Sequence, residues 1–195
     1  MKNKRNVIIA FILICCLCLS IGYAALTDTL TINGSADIVA ANDNNPDDGS
    51  DTVEEVFDDK LGFVAVKLDA AAPGTVKVKN TTPAVESVTT TETTFDMCDE
   101  VTFDIDGFTT INEEVKITYT IKNLHPDLKA KITEKTAINT TLSTTYFSVT
   151  ENWNETTVNA NGDTATVTIT VKVIKTPTEA QSGTINFVLN AEAVE

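Results

Sequence analysis

The chain has 195 residues, with 14 Lys and Arg against 28 Asp and Glu, one histidine and four cysteines. A formal charge of −14 excludes nucleic acid as a partner, because phosphates need neutralising by basic side chains. It also speaks against direct adhesion to anionic lipid, and it favours solubility with a cation or a basic partner as complement.

Lys2, Lys4 and Arg5 precede an apolar run of 15 residues, Val7 to Ile21. A relaxed membrane span needs about 20 residues, so the positive start and short apolar core read as a secretory signal peptide. Gly22 and Ala24 supply the small side chains three and one residues before a cut, which places cleavage between Ala24 and Ala25. Residues 1–24 are then a signal peptide and a signal peptidase is the first partner. The alternative is an uncleaved N-terminal anchor extended by Tyr23, Ala24, Ala25 and Leu26. Lipidation needs a small residue before the cysteine, and Ile14, Cys15 and Leu17 do not provide one. The mature chain of 171 residues carries 11 Lys and Arg against 28 Asp and Glu, a net −17. It has no later run of 18 apolar residues, so a secreted or cell-surface protein free of the membrane after cleavage is expected. Cys98 is its one cysteine, which excludes an intramolecular disulfide; a buried, inert free thiol is expected, with pairing between chains as the alternative.

In chain order, the first predicted element is an N-terminal strand within 25–39, running from Leu26 to Asn33 with Ile38 and Val39 as an extension. Residues 40–55, AANDNNPDDGSDTVEE, read as an acidic loop or tether. Residues 56–195 form the core domain. Strands are predicted at 63–68, 75–79 and 85–93, with Pro73-Gly74 as a turn. Val101, Phe103 and Ile105 alternate with polar residues, as do Val115, Ile117, Tyr119 and Ile121 within 114–123. A short helix or irregular turn is predicted over 136–145. Val167, Ile169, Val171 and Val173 mark a strand at 165–175, and Ile185, Phe187 and Leu189 one at 184–192, joined by a hairpin turn at 178–183. All 33 threonines follow the signal, and β-branched residues favour strands. Period-2 alternation without crossover helices predicts an all-β chain, an antiparallel β-sandwich of about eight strands.

Catalytic chemistry finds little support. His125 lies in KNLHPDLK and reads as a solvent-facing turn residue; a zinc site usually draws on several histidines or cysteines. The G-x-S-x-G elbow is absent. Cys98 and His125 are the one Cys–His pair, and MCDE is no recognised nucleophile setting. No enzyme and no catalytic residue are therefore expected. Asp96, Asp99, Glu100, Asp104 and Asp106 cluster in FDMCDEVTFDID, while Asp43, Asp47, Asp48 and Asp51 crowd the tether. Such oxygen ligands can hold Ca²⁺ weakly, but no calcium-loop pattern is matched; a solvated acidic face without a cofactor is the leading expectation. Tyr146, Phe147 and Trp153, if exposed as one patch, would mark a monomeric adhesion or ligand-binding module. Trp153 is expected to pack over the core instead.

The run IGYAALTDTLTINGSADI, residues 21–38, resembles exported Gram-positive proteins processed by a dedicated signal peptidase, the TasA and camelysin fibre family of the biofilm matrix. Gly22, Tyr23, Ala24, Ala25, Leu26, Thr27 and Asp28 carry the likeness, with Leu26 where relatives often have Phe. VKITYTIKNLHPDLKAKI, residues 115–132, resembles the family's strand–turn–strand segment, with Asn123 ending the strand. The C-terminal TATVTITVKVIKTPTEAQSGTINFVLNAEAVE resembles a closing hairpin. The resemblance implies a jelly-roll-like sandwich, exported to the surface or extracellular matrix, that self-associates head to tail or with other matrix or surface proteins. In such fibres the mature N-terminus adds a strand to the next subunit, a role that would fall on Leu26, Leu30 and Ile32. The peptidase activity described for camelysin-type relatives does not carry over, because no histidine-based zinc motif is present.

Overall fold

Alternating β-branched residues become strands throughout. The structure, a computed structural model, describes residues 31–40, 57, 59–153, 156–177 and 181–194, with backbone alone for 31–40 and 134–136. The cleavage residues Gly22, Ala24 and Ala25, the donor positions Leu26 and Leu30, and nearly all of the 40–55 tether lie outside the described residues.

Eleven strands follow in order: β1 Thr31–Ala40, β2 Leu61–Leu68, β3 Lys77–Thr82, β4 Thr93–Cys98, β5 Glu100–Asp106, β6 Glu114–Asn123, β7 Lys129–Thr140, β8 Phe147–Asn152, β9 Thr156–Val158, β10 Asp163–Val173 and β11 Ser182–Val194. They form a six-stranded sheet in the order β3-β5-β1-β11-β7-β9 and a five-stranded sheet in the order β4-β2-β6-β10-β8. The odd strands make one sheet and the even strands the other. Every connection therefore passes from sheet to sheet. The antiparallel expectation needs one correction, because β1 runs parallel to β11.

That alternation corrects several local expectations. β10 and β11 are not joined as a hairpin, because they lie in different sheets; β6 does end at Asn123 as expected, and β7 follows it in the other sheet. Residues 85–92 are not a strand, and Thr93 opens β4. They hold one isolated bridge, Asn80 with Val85, and then join both sheets: Val88 N–H donates to Val78 O at 2.9 Å, and Leu68 N–H to Thr89 O at 2.7 Å. The helix or turn over 136–145 is strand β7 as far as Thr140, followed by turns. Short β8 and β9, whose polar sequence hides them, were not expected.

Buried side chains from both sheets form one apolar cluster, with Phe63, Ile117, Tyr119, Ile121 and Ile169 from the even strands and Phe103, Ile105, Ile132, Phe187 and Leu189 from the odd ones. Phe103 on β5 meets Tyr119 on β6 with ring centroids 6.3 Å apart. The Tyr119 hydroxyl donates to Asn80 Oδ1 on β3 at 2.7 Å, and Asn80 Nδ2 donates to the carbonyls of Thr82 and Pro83. A hydroxyl sealed in this cluster has to be paired, since an unpaired buried polar group is costly; its burial also pushes the Tyr119 phenol far up.

The crossovers are held by polar side chains. After β5, Gly107 at φ +89° turns the chain where a Cβ would come 2.5 Å from Thr75 O. Glu113 then closes the turn before β6, accepting the N–H groups of Thr109 at 2.6 Å and Thr110 at 2.8 Å. Partial burial pushes the Glu113 carboxyl up, but these hydrogen bonds outweigh it and hold the group below its ordinary value. A carboxylate with a depressed folded value contributes stability above the unfolded value, about 4.3, and loses it as pH falls through the folded one. Glu113→Gln is therefore expected to lower the melting temperature at pH 7 more than at pH 3, narrowing the gap between variant and wild type. A gap independent of pH would contradict this role.

Candidate functional site

Cys98 Sγ lies 3.8 Å from Phe63 O, and burial, with Asp99 and Glu100 beside it, pushes the thiol up to about 11. At neutral pH it stays protonated, which makes it a poor nucleophile. Alkylation by iodoacetamide at pH 7.5 is expected to run about a hundredfold slower than for an unstructured cysteine of pKa ~8.5, and to accelerate on unfolding. Equal rates in native and urea-unfolded protein would refute this.

His125 is not a free solvent-facing residue. It is half-buried, Nδ1 accepts the N–H groups of Asp127 at 3.1 Å and Leu128 at 2.9 Å, and the ring meets Phe57 edge-on at 6.0 Å. Its imidazole is a turn cap at the β6–β7 crossover, so Nε2 carries the proton.

The five acidic residues do not form one site. Asp96 is on β4 in one sheet, whereas Glu100, Asp104 and Asp106 are on β5 in the other, with Asp99 at the bend between. Asp104 is paired to Lys79 at 2.9 Å. Among the described residues no three His, Cys, Asp or Glu side chains converge as ligands for a metal ion. The aromatic trio is likewise not a surface patch: Phe147 is buried, and half-buried Tyr146 and Trp153 pack against the core.

The feature that stands out is the position of β1. A strand near the start of the chain lies in the interior of the six-stranded sheet, not at its edge. It pairs in parallel with β11 from Thr31↔Ser182 to Ala40↔Ala191. On its other side it pairs antiparallel with β5 from Ile32↔Ile105 to Asp37↔Glu100. The slot walls are apolar where they are buried: Val101, Phe103 and Ile105 on β5, and Ile185, Phe187 and Leu189 on β11. Without β1 these two strands would each present an unpaired backbone edge in mid-sheet, an arrangement that templates pairing with another strand. Ile32, expected as part of a donor strand, lies in β1. The slot itself was not legible in the sequence, because its walls come from residues 100–106 and 182–194.

The turns at the two ends of β1 carry exposed apolar side chains. Ile111 is 50% exposed and Ile174 43%, each next in sequence to a partner of the Asn112 N–H to Val173 O bond, at the end where β1 begins and β5 finishes. Leu124, 45% exposed, follows β6 at the opposite end. These are the exposed large hydrophobic residues among the described ones. Comparison with protein-family models, curated proteins and solved structures finds no match.

Proposed function

We propose that the protein is a secreted structural subunit of a bacterial surface or biofilm matrix, polymerising head to tail by donating β1 to the slot of the next copy. The observation that carries this is the interior position of a terminal strand, flanked by two strands that it alone connects. The two sheets are read as the faces of a jelly-roll-like sandwich whose first strand is exchangeable.

Chain length supports the exchange. Residues 41–56 separate Ala40 from Phe57, 16 residues in all. At roughly 3.3–3.6 Å per residue they reach about 55 Å, whereas stacked sheets lie only about 10 Å apart. Donation in a head-to-tail stack requires the tether to span one subunit. β11 has 13 residues, about 43 Å of extended strand, so the reach suffices. Stacking also places the Ile111 and Ile174 end of one copy against the Leu124 end of the next, where exposed apolar area is removed from water. Such a contact does not close on itself and yields filaments. Signal-peptide cleavage at Ala24–Ala25 fits this reading, since it frees the N-terminal side of β1.

Electron microscopy of residues 25–195 at micromolar concentration, with and without Ca²⁺, tests the proposal. Regular filaments are expected, and none from a chain lacking residues 25–34 that keeps its β-sheet circular dichroism. Monodisperse particles from the mature chain in every condition would overturn self-driven assembly.

A further inference from the structure

We infer that β1 carries a size code, Ile32, Gly34, Ala36 and Ile38 taken in steps of two, that fixes its register in the slot and selects β1 of another copy over other extended segments. The inference rests on the strand-donation reading and adds what makes the donation specific.

The register states the code on both walls. Against β5, Ile32 stands opposite Ile105, Gly34 opposite Phe103 and Ala36 opposite Val101. Against β11, Ile32 stands opposite Gly183, Gly34 opposite Ile185, Ala36 opposite Phe187 and Ile38 opposite Leu189. The wall residues at these positions other than Gly183 are at most 1% exposed. The two smallest residues of the donor thus stand at the two phenylalanines. A large residue stands at Gly183, and that position has no room to grow, since a Cβ there would come 2.8 Å from Leu142 Cδ2.

Slips in either direction are penalised. A one-residue slip exchanges this row for the alternate one, setting Asn33, Ser35 and Asp37 opposite the buried wall residues. A two-residue slip keeps the polarity but not the sizes. One direction brings Ile32 to Phe103 and leaves Ala36 at Leu189. The other brings Ile38 to Phe187 and leaves Gly34 at Gly183. Each slip crowds one position and empties another, and tightly packed interiors penalise both. A Gly-x-Ala step flanked by isoleucines at this spacing occurs once in the chain.

A size-swap complementation in the mature chain tests the code. Gly34→Leu enlarges the donor and Phe103→Ala empties the slot. Each variant alone is expected to give at least tenfold less pelletable filament than wild type. An equimolar mixture is expected to recover most of the yield, because the enlarged strand enters the emptied slot while the unaltered strand enters the unaltered slot. A mixture no better than its components, or wild-type yield from Gly34→Leu alone, would overturn the code. If the wild-type chain itself forms no filaments, strand donation falls, and the code is read within one chain. The double variant regaining the thermal midpoint lost by the single variants would support it; additive losses would refute it.

Discussion

Removing residues 44–51 from the mature chain is expected to abolish filaments and leave the subunit folded. Eight residues would remain between Ala40 and Phe57, a reach of about 30 Å. That exceeds the ~10 Å typical of stacked sheets, so β1 can still reach β2 within its own subunit, but it is too short for the ~43 Å repeat proposed for a head-to-tail stack. A shorter loop also costs slightly less entropy to close, so the thermal midpoint should hold or rise. Any exchange that survives has to be reciprocal, with the two tethered ends together, and gives a closed dimer. Electron microscopy with size-exclusion chromatography reads the result. Filaments of unchanged repeat from the shortened chain would show that β1 does not travel between copies.

Asn123→Ala is expected to give the largest loss of stability of any single polar substitution in the described fold. Asn123 is fully buried at the end of β6. Its Nδ2 donates to Leu128 O at 2.9 Å and to Val158 O at 3.2 Å, and its Oδ1 accepts the His125 N–H at 3.0 Å. One side chain therefore ties together the β6–β7 crossover and the end of β9. Truncation removes three hydrogen bonds at this corner, and each group left buried and unpaired costs about 1–3 kcal/mol. With some access of water to the opened space, a loss on the order of 4 kcal/mol follows, a large part of the ~5–15 kcal/mol by which domains are stable. Urea denaturation measures it. A loss under about 1 kcal/mol would mean that the corner is held by its backbone alone.

The strongest strands are legible in the sequence, and for one reason. In 114–123 and 165–175 the apolar residues recur every second position over many residues, and that period is a property of the local chain. The same principle misled where local patterns are weak. At 136–145 the loosely spaced Ala137, Ile138 and Leu142 resembled a helical stripe, yet β11 offers a partner edge and residues as far as Thr140 extend along it. The segment 85–93 reads as a strand, but before Thr93 it spends its hydrogen bonds on both sheets as it passes between them. Turn signals mark where a chain reverses. They do not say which sheet the next strand joins, which is why 178–183 reads as a hairpin although β10 and β11 lie in different sheets.

By itself the sequence determined the class of the fold and much of its inventory: an all-β chain, acidic, with Cys98 the one cysteine after the N-terminal apolar run, and strands whose buried faces are written in alternation. The charge, the strand faces and the lack of any histidine-based zinc motif follow from residue identity and spacing alone. Only the tertiary structure decided the alternation of strands between two sheets, the parallel pairing of β1 with β11, and the slot between β5 and β11. Those depend on contacts between segments far apart in the chain, and a local pattern specifies which face of a strand is buried without specifying the neighbour it is buried against.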